Sequence, residues 1–376
     1  MKRVPIDEYC EKKISTLSPQ YKGSIDYIDI SSVDNLEKKI INIQQLTTEE
    51  APSRAKQLLQ VGDILVSTVR PNLNAVAMVE QNSKNILVGS TGYCVLRCKN
   101  NINNRYVFHF CQSLYFVDDM VKQATGASYP AVNSNIVKNS LIPEYTEEKQ
   151  NEIVITLDKT DNLIYERKKQ LLKLDELVKA RFVEMFGLPV SNTMNWETEK
   201  MQSIAPSQNY LGEMPDEVWL LNLDMIESQT GKIIDYLIVP KDEVGNSTCV
   251  FDVSTVLYSK LRPYLNKVVI PNRCGYATSE LVPLKPNSSK LNREYLAYML
   301  RSDEFVTMIS EKVAGAKMPR VSMNDFRNFE VPIPPIELQN EFANFVKQTD
   351  KSKFEVQQSL EKLETLKKSL MQQYFG

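Results

Sequence analysis

The chain has 376 residues, 42% of them hydrophobic and 24% charged, with a formal net charge of -2 and a pI of about 5.8. That length exceeds one ordinary domain and predicts two or three. No apolar run approaches the roughly 18 residues of a membrane span, and no apolar stretch follows the basic start MKRVPIDEYCEKK to make a secretory signal. The slightly acidic balance argues mildly against nucleic acid as a partner, since such domains usually carry a basic excess. Six cysteines (Cys10, Cys94, Cys98, Cys111, Cys249 and Cys274) are scattered without a CxxC pair. They are expected to be reduced, buried, small apolar side chains of a cytosolic protein.

Residues 1–145 form a mixed segment. YIDISSV (27–33) alternates like a strand, GDILVSTV (62–69) follows a Gly-Asp turn with a β-branched run, and NILVGSTGYCVLRC (85–98) supplies further strands. YVFHFCQSLYFVDDMVKQA (106–124) has helical spacing and leads into the loop TGASYPAVN (125–133). From about Glu147 to Phe186 a 4-3-4-3 step visits Ile153, Leu157, Thr160, Ile164, Arg167, Leu171, Leu174, Val178, Arg181 and Met185, the seam of a long coiled-coil helix. Glu147 and Glu148 suit its start by complementing the helix dipole.

Residues 188–335 repeat that order. WLLNLDMI (219–226) answers YIDISSV, and STVLYSKLRPYLNKVVI answers DILVSTVRPNLNAVAMV; both carry SxxRPxLN. EYLAYMLRSDEFVTMISEKV (294–313) is the matching helix, and the loop AGAKMPRVS (314–322) matches TGASYPAVN. Gln339-Asn340-Glu341 falls on Gln150-Asn151-Glu152, and a second long helix runs from about Ile336 to Phe375. Its seam is Phe342, Val346, Thr349, Lys353, Val356, Leu360, Leu363, Lys367, Leu370 and Tyr374. This is domain duplication, since the period far exceeds that of a solenoid. The expected fold is α+β: two domains at 1–145 and 188–335, followed by long helices at 146–187 and 336–376. Each helix of about 40 residues reaches roughly 60 Å. Antiparallel pairing with pseudo-twofold symmetry is expected, because a parallel pair would crowd both domains at one end. The cations Arg167, Arg181, Lys353 and Lys367 on the seam suit a surface shared with partner subunits better than a symmetric homodimer zipper.

Catalytic chemistry is mostly missing. His109 is the one histidine and lies in an apolar helix, which favours a packed side chain and removes His-dependent triads and His-rich metal sites. Neither a GxxxxGK[ST] loop nor a GxGxxG after a strand is present, and VGSTGY (88–93) reads as a turn. Cys94 and Cys98 read as strand residues. The candidate contacts are instead for nucleic acid. Each SxxRPxLN element puts an Arg on a Pro-bearing turn between strands, beside Ser and Asn able to reach phosphate or base edges. These are Ser67, Arg70 and Asn74 in the first copy, and Ser259, Lys260, Arg262, Tyr264 and Asn266, with Lys267, in the second. The loops add Ser128, Tyr129, Asn133, Asn135 and Lys138, and Lys317, Arg320 and Ser322. The competing reading of the Arg is a side chain that merely pins its own turn.

GDILVSTVRPNLN, the TGASYP and AGAKMP loops, and VPIPPIELQNEFANFV leading into a heptad helix ending in Phe-Gly resemble the specificity subunit of type I restriction–modification enzymes. The resemblance covers essentially the whole chain; LIPEYTEEKQ departs from it by lacking the PIPP run of the second copy. It implies a non-catalytic subunit with two tandem target-recognition domains, binding double-stranded DNA at a bipartite sequence with the helices as spacer. Half-sites about 34–36 Å apart suit a twofold reader. It also implies two copies of an adenine-N6 methyltransferase subunit and a translocating restriction subunit as partners, and no membrane. S-adenosylmethionine, ATP and Mg²⁺ then belong to those partners, with no cofactor bound by this chain. The reading from a different class is a coiled-coil interaction scaffold without base readout.

Overall fold

The alternating and β-branched stretches pair into the same set of sheets twice. The computed structural model describes residues 2–315 and 317–376 and leaves Met1, and Ala316 of the second loop, outside the described residues. It divides into two units, Met1–Lys168 with Gln358–Gly376, and Lys169–Gln357. In the first, the strands Gln44–Thr47, Ser24–Ile28, Ile86–Ser90 and Ala55–Leu58 form one sheet in that order, the central pair parallel. A three-stranded antiparallel sheet orders Tyr93–Leu96, Ile64–Ser67 and Val76–Met78, and Arg3–Pro5 pairs with Leu141–Pro143. The second unit repeats this: Leu237–Pro240, Glu217–Leu221, Gly275–Thr278 and Thr248–Phe251, again with a parallel centre. Val268–Val269, Val256–Ser259 and Leu281–Leu284 follow, with Thr198–Lys200 on Glu330–Pro332.

Three expectations are corrected. The alternation of YIDISSV is a strand only to Ile28; Asp29 then accepts the Ile30 amide at 2.8 Å and starts a 3-10 turn at Ile30–Ser32. WLLNLDMI breaks likewise, at Leu223–Met225. Each single helix after the sheets is two helices, Asn104–Phe110 and Leu114–Gln123, then Arg293–Arg301 and Asp303–Ser310. The cause is a serine at each break: Ser113 Oγ accepts from Phe116 N at 3.2 Å and Ser302 Oγ from Phe305 N at 3.3 Å. Such N-capping stabilises a new start by about 1 kcal/mol.

The long helices span Glu147–Phe186 and Ile336–Phe375, and every seam position named above is buried or half-buried. In the first unit the segments 147–168 and 358–375 pack antiparallel, with Lys367 Nζ 2.5 Å from Asp161 Oδ1. In the second unit 169–186 and 336–357 do the same, through Lys353–Asp175 at 2.6 Å and Arg181–Glu341 at 3.0 Å. Three of the four seam cations are thus answered by carboxylates on the opposing helix. The seam threonines satisfy themselves, Thr160 Oγ1 and Thr349 Oγ1 donating to the carbonyls four residues back.

The Phe-Gly endings and the QNE repeat now have physical reasons. Phe186 lies in the core of the second unit, 4.7 Å from the Tyr295 ring, and Phe375 in that of the first, 5.5 Å from Tyr106. Buried Gln150 accepts the Asn103 amide and donates to Tyr145 O at 3.0 Å. Gln339 accepts from Asn292 N at 2.8 Å and donates to Lys290 O and Pro334 O. Each glutamine therefore staples the start of a long helix to the N-cap residue of an earlier short helix, Asn104–Phe110 in the first unit and Arg293–Arg301 in the second.

Candidate nucleic-acid interface

The two motif families singled out in the sequence are one surface in each unit. After Ile64–Ser67 the chain enters Arg70 at φ 51° and ψ 62°, passes through the 3-10 turn Pro71–Leu73, and leaves through Asn74 at φ 45°. In the second unit Arg262 (φ 50°), Pro263–Leu265 and Asn266 (φ 51°) trace the same path. A left-handed conformation costs a residue with a Cβ roughly 1–2 kcal/mol, and asparagine tolerates it best. Asn at the exit is thus explained; Arg at the entry is held by its neighbours. Arg70 N donates to Pro130 O at 2.7 Å and Val132 N to Thr68 O at 2.9 Å. Arg262 N donates to Pro319 O at 2.8 Å and Val321 N to Lys260 O at 2.9 Å. The TGASYP and AGAKMP loops therefore clamp the Arg-Pro turns directly.

The loops close on themselves. Thr125 and Ala131 exchange both backbone hydrogen bonds at 2.9 Å, and Val313–Ala314 pairs with Arg320–Val321. Gly126 turns the first at φ 101°, where a Cβ would come within 2.9 Å of Tyr129 O; Gly315 turns the second at φ 95°.

Not every predicted residue faces outward. Ser67 and Ser259 are buried, their hydroxyls donating to Val69 O and Leu261 O at 3.0 Å, so they shape the turn from beneath. Asn266 is buried and donates to Arg301 O; Asn74 is half-buried. Asn133 and Ser322 cap the short helices Ser134–Asn139 and Met323–Arg327. Lys138 turns back to Glu11 O, Lys12 O and Asp7, and Lys267 to Leu223 O. Half-buried Lys260 and exposed Arg320 both lie against Glu280, and Arg320's hydrogen bonds hold that carboxyl below the usual carboxylate range.

What remains outward is a short list in each unit. Arg70 is exposed with its guanidinium 4.8 Å from the Tyr129 ring centroid, Ser128 and Tyr129 are exposed beside it, and Asn133 and Asn135 are exposed further along the chain. In the second unit Arg262, Tyr264 and Lys317 are exposed. Cations and an aromatic on a backbone fixed by hydrogen bonds can meet phosphates and base edges with little ordering cost.

Sequence reasoning missed the braces. Lys38, on a hairpin turn at φ 56°, donates to Asn74 O, and burial together with Lys367 pushes its ammonium down to about 8. Gln229 does the equivalent, its amide bonding Leu265 O and its side chain Tyr264 O, both at 2.9 Å. The repeated Lys-Ile-Ile after these hairpins (39–41 and 232–234) was the available signal. His109 is fully buried with Nε2 2.7 Å from Asp158 Oδ1, as a packed side chain. Among the described residues no cluster of three or more His, Cys, Asp or Glu could hold a metal, and no helix is long and apolar enough to cross a membrane.

The profile of the family described as "Type I restriction modification DNA specificity domain" matches residues 3–174 and 226–367. The Type I restriction enzyme EcoDI specificity subunit of Escherichia coli is 26% identical over 187 residues, covering 48% of this chain but only 41% of that protein. The MjaIX specificity subunit of Methanocaldococcus jannaschii is 21% identical over 370 residues, covering 91% of this chain and 81% of the relative. Among solved structures, one describing complex assembly and conformational transition of the type I R-M system aligns with a TM-score of 0.65 at 21% identity, over 100% of this chain and 97% of the other. The type I restriction–modification S subunit from M. genitalium aligns with a TM-score of 0.59 at 14% identity, over 100% and 96%. At those identities the structural likeness establishes the fold.

Proposed function

The chain belongs to the type I restriction–modification DNA specificity family, and we propose that its two units each read one half of a bipartite double-stranded DNA site. The observation that supports this is the duplicated clamp: Arg70 and Arg262, each in a left-handed turn, each bonded to a loop proline carbonyl, each exposed. A strained turn built twice in the same way, with different side chains around it, suits two readers of different sequences. The contacts in this proposal are Arg70, Ser128 and Tyr129 in the first unit and Arg262, Tyr264 and Lys317 in the second. The chain acts as a non-catalytic, cytoplasmic subunit. It recruits two adenine-N6 methyltransferase subunits and a translocating restriction subunit, and S-adenosylmethionine, ATP and Mg²⁺ are bound by those partners and not by this chain. The acidic overall balance fits a subunit whose partners supply part of the phosphate contact.

Methylome sequencing of a host expressing the operon tests the reading. A split N6-methyladenine motif is expected, and its absence from an expressed, intact operon overturns it. For the residues, Arg262→Ala with Lys317→Ala is expected to weaken binding of the assembled complex and to make log K against log salt shallower by up to about 2, at ~0.9 per phosphate contact. An unchanged slope removes both from the interface.

A further inference from the structure

We propose that Cys10 and Cys98 are a thiol-redox site, closing to a reversible disulfide when the protein meets a small-molecule disulfide. The two face each other directly in an antiparallel bridge of the first unit. Its flanking bonds, Glu11 N to Arg97 O at 2.8 Å and Lys99 N to Tyr9 O at 2.9 Å, leave the pair at the position where the two cysteines' own backbone groups do not bond each other. Opposed Cα atoms there lie about 4.5 Å apart, within the ~4.4–6.8 Å that a disulfide spans. Bridging therefore needs side-chain rotation and little backbone movement.

The exposure of the two thiols is unequal. Cys10 is fully buried and Cys98 half-buried, so one sulfur is reachable while the other waits behind it. A hydrogen bond with Cys98, joined by burial, pushes the Cys10 thiol up, as for a resolving rather than an attacking sulfur. The other two cysteines of the unit are shielded: Cys94 is buried with its thiol directed at Ser134 O, and Cys111 is buried completely. The Cys98 thiolate attacks one sulfur of glutathione disulfide and a glutathione thiolate leaves. The Cys10 sulfur then attacks Cys98 Sγ, its proton passing to the second glutathione sulfur as that leaves. Two protein thiols are oxidised, and one glutathione disulfide is reduced to two thiols.

The matching bridge of the second unit is built alike, with Gln208 N to Pro283 O at 3.0 Å and Lys285 N to Pro206 O at 2.9 Å, but it opposes Ser207 to Leu284. The site is thus confined to the first unit. Two thiols that are merely small core residues would not react together, and that difference is measurable. The chain has six cysteines, of which Cys274 is the other half-buried one, so the experiment uses native Cys274→Ser protein. Treatment with glutathione disulfide is expected to lower its thiol count from five to three, to give a peptide pair joined through Cys10 and Cys98, and to raise the thermal midpoint of the first unit by several degrees. Adding Cys10→Ser is expected to stop the reaction at a glutathione adduct on Cys98, and adding Cys98→Ser to abolish it. Five surviving thiols in the native protein, a different pairing, or an unchanged reaction with Cys98→Ser each overturn the proposal.

Discussion

Both units turn into the strand that carries the Arg-Pro element through a carboxylate-stitched turn, but the carboxylate stands at opposite ends of it. In the first unit Asp63, 1% exposed, accepts the Gln60 amide at 2.8 Å and a two-pronged pair from Arg97 at 2.8 and 2.7 Å. In the second unit Thr255 stands there, its hydroxyl accepting from Asp252 N, and the acid sits three residues earlier. Asp252 accepts from Ser254, Thr255 and Lys285, the last at 3.1 Å. Arg97 and Lys285 both follow the strand paired to the turn. What the duplicated scaffold requires is a tie between turn and strand exit; which residue supplies the charge is interchangeable when both partners move together.

The ties differ in burial, and the largest expected effect follows from that. The Arg97 side chain is 14% exposed against 40% for Lys285. Arg97→Ala strands a buried carboxylate and is expected to cost about 3–5 kcal/mol. Lys285→Ala leaves Asp252 with its hydroxyl partners and costs below about 1 kcal/mol. Amide hydrogen exchange in Tyr93–Leu96 and in Leu281–Leu284 measures the two separately; equal losses would break the comparison.

The glutamine staples come next. Gln339→Leu leaves Asn292 N, Lys290 O and Pro334 O without their partner, where Gln150→Leu leaves Asn103 N and Tyr145 O. With orphaned buried groups costing about 1–3 kcal/mol each before relaxation, about 2–4 kcal/mol is expected for Gln339→Leu and about 1 kcal/mol less for Gln150→Leu. Denaturant unfolding of the two variants checks the order.

A third effect is smaller and appears only in acid. Burial works against the Asp252 carboxylate, but hydrogen bonds from Ser254, Thr255 and Lys285 outweigh it and draw the group from 3.8 down to about 2. A pKa lower in the folded than in the unfolded state contributes stability that is complete above the unfolded value and is lost as pH falls through the folded one. The second unit should lose on the order of 1–2 kcal/mol between about pH 5 and pH 2 on this account. Asp252→Asn should flatten that limb in a pH series of unfolding midpoints and leave the first unit's acid response unchanged.

These contrasts also mark how far the sequence could be read. The helix bounds at Phe186 and Phe375 were legible because a heptad stripe and a terminal aromatic repeat at one spacing. The Arg-Pro turns and the glycine loops were legible as motifs, while their junction was not, since Arg70 N to Pro130 O is a backbone bond that no side-chain pattern encodes. Ser67 and Ser259 looked like contacts because a hydroxyl beside an Arg is the same in sequence whether it faces solvent or its own turn. Ser113 and Ser302 were missed as breaks because the apolar spacing on either side of each remains helical.

The smallest effect concerns two arginines near the proposed DNA surface, which differ in whether a carboxylate already holds them. Arg70 rests on the Tyr129 ring and keeps its charge available to a phosphate, whereas Arg320 gives its guanidinium to Glu280 at 2.8 Å. A cation already paired to a carboxylate displaces few counterions when DNA arrives. Arg320→Ala is therefore expected to change the slope of log K against log salt by less than about 0.3, where Arg70→Ala lowers it by up to about 0.9. Glu280→Gln removes the competing carboxylate and should steepen the slope, making the second unit's Arg320 behave like the first unit's Arg70. A steep loss from Arg320→Ala in the unmodified background would mean that DNA takes Arg320 from Glu280, and the distinction between a presented and a withheld arginine would fail.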